Sequence, residues 1–167
     1  MQSTAPHTDR MRNPFIVVVV CAGFYATAFA GLLLAAASWA QDSMPVMELT
    51  AGMHRIEAEV AANDQNRQVG LMNRRVMPPQ RGMLFVFGRE NTHCMWMRNT
   101  FIPLSVAFMD ADGIIINIED MQPQTESNHC ARKPARYALE MNQGWFAQRG
   151  IKPGTRLGGI DRVPRPQ

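Results

Sequence analysis

The chain has no long run of basic residues and none of the common catalytic motifs. Its largest Lys/Arg clusters are the pairs Arg74-Arg75 and Arg132-Lys133, so it lacks the basic footprint of a nucleic-acid-binding protein. A Gly-x-Ser-x-Gly elbow, a His-Glu-x-x-His helix and a Gly-rich phosphate loop are also absent from the sequence. We therefore expect no nucleic-acid partner, and no motif calls for a cofactor.

The isolated titratable residues give little support for catalysis. Glu119 and Asp120 are adjacent in a predicted strand, so their side chains should face opposite ways and make a poor acid/base pair. His54 alternates with Ile56, which is typical of a surface histidine or one with satisfied hydrogen bonds. The sequence favours a non-enzymatic protein over an enzyme.

Residues 1–40 have the pattern of a secretory signal peptide. Arg10 and Arg12 form a basic start, Phe15–Ala37 is apolar and uncharged, and Ser38-Trp39-Ala40 places small residues at the cleavage point. An uncleaved N-terminal anchor is the alternative, because the apolar run is long enough to span a bilayer. In both cases we expect the rest of the chain in the periplasm or secreted. Membrane contact is expected only if the segment stays uncleaved.

These patterns divide the chain into four segments. They are the signal peptide or anchor (1–40), a flexible lead-in (41–46), a β-rich domain (47–158) and a loose C-terminal tail (159–167). Removing residues 1–40 leaves 127 residues (167 − 40), which suits one domain.

Short apolar segments at regular spacing predict a mainly β fold. In His54–Ala61, apolar residues alternate with Glu57 and Glu59, the period of a half-buried strand. Short helices are expected at Gln65–Asn73 and Gln143–Arg149. The pattern predicts a single small antiparallel β-sandwich or barrel. The other expected strands are Met47–Ala51, Gly82–Phe87, Thr92–Met97, Pro103–Met109, Ile114–Ile118, Tyr137–Met141 and Thr155–Leu157. In Pro103–Met109, alternation places Leu104, Val106 and Phe108 on one face.

The chain contains five ordered motifs: Gly70-Leu71-Met72, Gly82-Met83-Leu84-Phe85-Val86-Phe87, Trp96-Met97-Arg98-Asn99-Thr100, Ile102-Pro103-Leu104 and Ala135-Arg136-Tyr137-Ala138-Leu139-Glu140. Together they resemble the domain of unknown function 192 family. The likeness runs from about Glu48 to Leu157 and implies a compact β-rich domain, often exported. The family's molecular function is not established, so the resemblance implies no reaction. Ser105 stands where the family usually has an aspartate.

Cysteine is scarce, with 3 in the whole chain. Cys21 lies in the N-terminal apolar run, so only Cys94 and Cys130 belong to the predicted domain. In an exported domain such a pair is expected to form an internal disulfide, which would tie loop 122–135 to the Thr92–Met97 strand. Two free thiols or an intermolecular bridge are the alternatives.

A metal site is the less favoured interpretation of the residues around Cys94. His93, Cys94, His129 and Cys130 match a zinc set by residue type, but neighbours in a strand point to opposite faces. A soft-metal site for copper(I) would instead use His93, Met95 and Met97, which alternation places on one face. Methionine is also a common core residue, so we expect no metal.

The leading hypothesis is an exported domain that binds a small polar ligand or an envelope protein. A tryptophan can stack on a ring, and an arginine can bind a carboxylate or phosphate through paired N–H groups. The alternative is an envelope enzyme acting on a small polar substrate, which a carboxylate or histidine at a cavity floor without an arginine partner would favour. In a purely structural alternative, an arginine pairs with the glutamate and Asn99 closes a turn. The candidate ligand-binding residues are Trp96, Arg98, Asn99, Arg136 and Glu140.

Overall fold

The computed structural model describes residues 44–166. The predicted export segment and the first part of the predicted lead-in lie outside these residues. Within the described range, no helix is long and apolar enough to cross a membrane.

Strands dominate the described residues, which confirms the predicted mainly β class. Two short α-helices accompany them, α1 (Asp64–Val69) and α2 (Trp145–Gln148), with a 3-10 helix at Ile160–Arg162. The strands are β1 (Val46–Ala51), β2 (His54–Ala61), β3 (Arg81–Asn91), β4 (Cys94–Met95), β5 (Leu104–Met109), β6 (Ile115–Met121), β7 (His129–Cys130), β8 (Ala135–Asn142) and β9 (Leu157–Gly158).

Seven of these strands form one sheet in the order β6-β5-β8-β3-β2-β1-β9, and β4 and β7 form a separate two-stranded ribbon. The expected antiparallel arrangement holds for every pair in the sheet except β2 and β3, which are parallel. A parallel pair needs a connection of a dozen or more residues, usually with a helix. Residues 62–80, which include α1, supply that connection.

The central strands β3, β5 and β8 are buried on both faces. One face carries Leu84, Ala107 and Leu139 into a core cluster that α2 covers with Trp145 and Phe146. The other face carries Met83, Phe85, Val106, Phe108 and Ala138 into a second cluster. Loop residues cover this second face, namely Leu71, Met77, Met97, Ile102 and Ala131. The predicted common face of Leu104, Val106 and Phe108 is therefore confirmed.

Local differences from the sequence predictions occur near loops. Helix α1 ends at Val69 rather than Asn73, because Gly70 caps it with a φ of 48°. The strand expected at Thr92–Met97 is reduced to Cys94–Met95, in the ribbon rather than the main sheet. The segment expected as a loose tail begins with the 3-10 helix, whose Ile160 packs in the first core cluster.

Candidate functional site

Glu140 is a carboxylic acid placed in the middle of an apolar sheet. It lies on β8, with Met83 of β3 opposite it on one side and Val106 of β5 opposite it on the other. The residue is only 3% exposed to solvent. Its side chain shares a face with Ala138, toward the second core cluster. Apolar residues around Glu140 therefore stabilise β8, and the strand places one acidic side chain in the core.

Burial raises the pKa of Glu140 from its ordinary 4.5 to about 8. Desolvation is the cause, because the charged form loses its water in apolar surroundings. No arginine, lysine or histidine among residues 44–166 forms an ion pair with this carboxyl group, in contrast to the pairing expected in the structural alternative. At neutral pH the group is therefore mostly a neutral acid with one O–H donor.

The side chain of Glu140 lines a cavity of about 140 Å³. Aromatic and aliphatic side chains make most of its wall, and the hydroxyl of Thr100 is a second buried polar group there. Exposed Gln68, Val69 and Trp96 surround the mouth, with Trp96 47% exposed. The wall residues are Leu71, Met72, Phe85, Phe87 and Met95. A concavity that combines apolar side chains with a few polar groups is typical of a small-ligand site.

The turn after α1 shapes one side of this cavity. The side chain of Asn63 caps the start of the helix by accepting a hydrogen bond from the Asn66 backbone N–H at 2.7 Å. Gly70 ends the helix, and a Cβ there would stand 3.1 Å from Cζ of Phe85. The glycine thus lets the backbone approach the aromatic ring that lines the cavity.

Arg67 also lines the cavity, but other groups already engage its guanidinium. Nη1 donates to the carbonyl oxygens of Ala62 at 2.6 Å and Val86 at 2.8 Å. Nη2 donates to the carboxylate of Asp64 at 2.5 Å. The side chain therefore serves mainly to fasten α1 to the end of β2 and to β3. Sequence reasoning did not identify this residue, because nothing in the local pattern shows which carbonyls a long side chain will reach.

The β4–β7 ribbon forms another part of the wall. Cys94 and Cys130 face each other across it and are joined by a disulfide, as predicted. The buried side chain of Asn117 on β6 fixes the ribbon to the sheet, donating to the Cys130 carbonyl at 3.1 Å and accepting from the Arg132 N–H at 3.0 Å. Cys94, Met95 and the adjoining Trp96 are thereby held at the cavity.

The predicted ligand-binding residues separate into two groups. Trp96 and Glu140 line the same cavity, whereas Arg98, Asn99 and Arg136 do not line it. The Arg98 guanidinium lies 5.7 Å from the Trp96 ring centroid and 3.8 Å from the Glu126 carboxylate. Asn99 adopts a left-handed conformation with a φ of 55°. Its backbone carbonyl accepts from the Asn73 N–H at 2.9 Å, so its backbone helps to join the two loops.

Arg136 and Arg74 also lie apart from the Glu140 carboxyl group. Arg136 is half-buried on β8, four residues before Glu140. Arg74 instead makes a paired hydrogen bond and ion pair with Glu59 of β2, which raises the pKa of the arginine. The sequence therefore identified the glutamate and the tryptophan of the cavity, but not that no arginine of the described chain forms an ion pair with the glutamate.

The residues of the alternative copper site have other contacts. The His93 ring stacks on Phe87 with centroids 3.7 Å apart, and its Nε2 lies 3.0 Å from the Arg89 carbonyl oxygen. Met97 is fully buried in the second core cluster, and Met95 packs against that cluster. Among the described residues, no group of three or more His, Cys, Asp or Glu side chains is arranged to hold a metal ion.

Comparisons with known proteins place the chain in one family. The profile of the DUF192 family, described as an uncharacterised conserved group, matches residues 47–159. No curated protein matches. A crystal structure from Sinorhizobium meliloti, described as a candidate transcription regulator, is 39% identical with a TM-score of 0.62, covering 66% of this chain and 88% of that one.

A second crystal structure, of a protein of unknown function from Novosphingobium aromaticivorans, is also similar. It is 32% identical with a TM-score of 0.64, and the match covers 67% of this chain and 84% of that one. The chain belongs to the DUF192 family. Its β-rich fold is shared with both solved structures.

Proposed function

We propose that this DUF192 protein is a small-ligand-binding domain whose site is the cavity above Glu140. The observation that carries the proposal is a buried carboxyl group without an ion-pair partner in the described chain, facing a cavity that opens beside Trp96. A bound ligand would supply a hydrogen-bond partner for this carboxyl group.

The energetics support this interpretation over a structural role for Glu140. Moving a carboxyl group from water into mostly apolar surroundings costs free energy, and the charged form costs more than the neutral acid. Methionine or leucine would fill the same strand position without that cost. Glu140 adds no ion pair to the fold. Binding of a ligand in the cavity therefore explains its presence better than a role in stability does.

We also propose that the domain works in the cell envelope. The basic start, apolar run and small residues of segment 1–40 support export. The disulfide between Cys94 and Cys130 agrees with an oxidising compartment, where such bonds persist. Fractionation of cells that produce the full chain, with immunodetection of a shortened form in the periplasm, tests export separately from binding. Retention of the full-length form in the cytosol would refute it.

A fragment screen of the full-length protein tests the binding proposal. Small aromatic and aliphatic compounds are added one at a time, and binding is followed by amide chemical-shift changes in NMR spectra. We expect hits to perturb Glu140, Thr100 and Trp96 together. Glu140→Gln should alter the affinities, whereas Glu90→Gln, at an exposed position on β3, should leave them unchanged. Shifts confined to other surfaces would contradict the proposal.

Proton transfer is a second candidate function, because Glu140 is a cavity-floor carboxyl group without an arginine partner, the feature that the sequence analysis connects with catalysis. A carboxyl group with a pKa of about 8 has the acidity of an efficient general acid or base near neutral pH. The cavity contains only one other buried polar side chain, Thr100, so binding remains the better-supported function. Conversion of a bound fragment that stops in Glu140→Gln would favour catalysis instead.

A further inference from the structure

We infer that the Glu140 cavity selects an uncharged ligand with a ring-sized apolar body and an oxygen that accepts a hydrogen bond from the Glu140 carboxyl group. This inference rests on the proposed binding function and adds the chemical class of the ligand. Three features of the cavity support this ligand class: its size, the side chains of its wall and the charges that face Glu140.

The volume of the cavity accommodates about one ring of a ligand, and its mouth is open. A dry apolar cavity of roughly 150 Å³ accommodates benzene. The cavity here measures about 140 Å³, and the rings of Phe85 and Phe87 with the side chain of Leu71 provide apolar contacts. The exposed rim leaves space for substituents outside it. A larger molecule would therefore place one ring-sized group inside and the remainder along the mouth.

The groups that face Glu140 leave its charge uncompensated. Its neighbours on the two adjacent strands are Met83 and Val106, both apolar. The other titratable group that lines the cavity, within the described part of the chain, is Arg67, whose guanidinium is bonded to two carbonyl oxygens and to Asp64. No cation is thus positioned to hold Glu140 in its charged form, and burial keeps it protonated at neutral pH.

A protonated carboxyl group presents an O–H donor to a ligand in the cavity. A ligand carbonyl satisfies that donor without bringing a charge into apolar surroundings. An ammonium group would have to lose its own water and also require the carboxyl proton to leave. The Trp96 ring could attract a cation, but the Arg98 guanidinium already lies near that ring, at 5.7 Å. Both considerations favour a neutral acceptor over an amine.

Three probes of similar shape separate these possibilities, namely benzamide, benzylamine and toluene. Affinities for the full-length protein are measured at about pH 7, where benzylamine is a cation, and again for benzamide at about pH 9. We expect benzamide to bind about five- to tenfold more tightly than toluene, the value of one hydrogen bond. Its affinity should fall at the higher pH, because the carboxyl group loses the donated proton.

Two variants of Glu140 check that this preference comes from its O–H. Glu140→Gln keeps a neutral N–H donor, so the preference for benzamide should persist while its pH dependence disappears. Glu140→Met removes the donor at similar length, so benzamide and toluene should bind equally. If Glu140→Met fails to fold, Glu140→Gln tests the inference by itself: pH dependence of benzamide affinity that persists in this variant would overturn it.

The outcomes distinguish the inference from the function on which it rests. Binding of none of the three probes at the cavity would reject the proposed function itself. Tighter binding of benzylamine than of benzamide at about pH 7 would preserve a binding site but overturn the neutral-acceptor class. Equal affinities for benzamide and toluene in the unmodified protein would also overturn it.

Discussion

Met83 lies directly opposite Glu140 across the β3–β8 pair, so a thioether, rather than a cation, is the cross-strand neighbour of a buried acid. On the other side the opposite residue is Val106. Neither side chain can solvate a carboxylate, and the pKa of Glu140 rises to about 8 as a result. The pairing register of the central strands therefore sets the charge state of the cavity floor.

This register predicts that the free energy of unfolding falls as the pH rises from about 4.5 to about 8. The folded pKa is about 8, above the ordinary 4.5, so the unfolded chain releases the Glu140 proton first. The stabilisation is complete below the lower value, is lost across this window and changes no further above it. The full effect is roughly 5 kcal/mol at most.

Urea denaturation across this pH range measures the effect. Glu140→Gln should flatten the decline and exceed the unmodified protein in stability above about pH 8, because the amide cannot ionise. Glu90→Gln removes an exposed carboxylate and should reproduce the unmodified curve. An unchanged decline in Glu140→Gln would show that other groups cause it.

The disulfide predicts a second loss of stability. Cys94 and Cys130 are separated by 36 residues. Closing a loop of that length in the unfolded chain stabilises the fold by about 4 kcal/mol in the chain-entropy model. The double variant Cys94→Ser with Cys130→Ser should lower the urea midpoint accordingly, whereas Cys21→Ser should not, since Cys21 lies outside the bridge.

Alkylation of the unreduced full-length protein provides an independent measurement of the same bond. The chain has 3 cysteines, so the intact mass should show one modified thiol before reduction and all of them afterwards. Complete modification without reductant would contradict the bridge.

Gly70 predicts a stability difference between two glycine substitutions. Gly70→Ala should lower the free energy of unfolding for two reasons: its φ is 48°, and the new Cβ would stand 3.1 Å from Phe85. Gly150→Ala should lower the free energy of unfolding only through its φ of 67°, because no atom stands within 4 Å of its Cβ position. We expect the first to be more destabilising by about 1 kcal/mol or more, from crowding alone. Equal urea midpoints would indicate that Phe85 moves freely.

The sequence predicted much of the sheet because alternation within a strand is local. It identified His54–Ala61 without error and the buried face of Leu104, Val106 and Phe108. It did not predict the parallel pairing of β2 with β3, because strand order depends on contacts between distant segments. The ribbon around Cys94 was predicted as part of a longer strand, since periodicity does not show which partner a strand pairs with.

The cavity was predicted only in part, for a similar reason. Glu140 and Trp96 were recognisable as polar or amphipathic residues inside apolar motifs. The choice of partner for each arginine was not recognisable, because long side chains reach across the fold. Arg74 pairs with Glu59 and Arg67 with backbone carbonyls, which leaves Glu140 without a cation.

Titration of Glu140 itself tests the central claim most directly. The side-chain carboxyl carbon is followed by NMR in the full-length protein labelled with carbon-13, and its signal is assigned by its loss in Glu140→Gln. An uncompensated acid at the cavity floor predicts a midpoint near pH 8. A midpoint near the ordinary 4.5 would mean that water or a cation reaches the group, and would contradict the account.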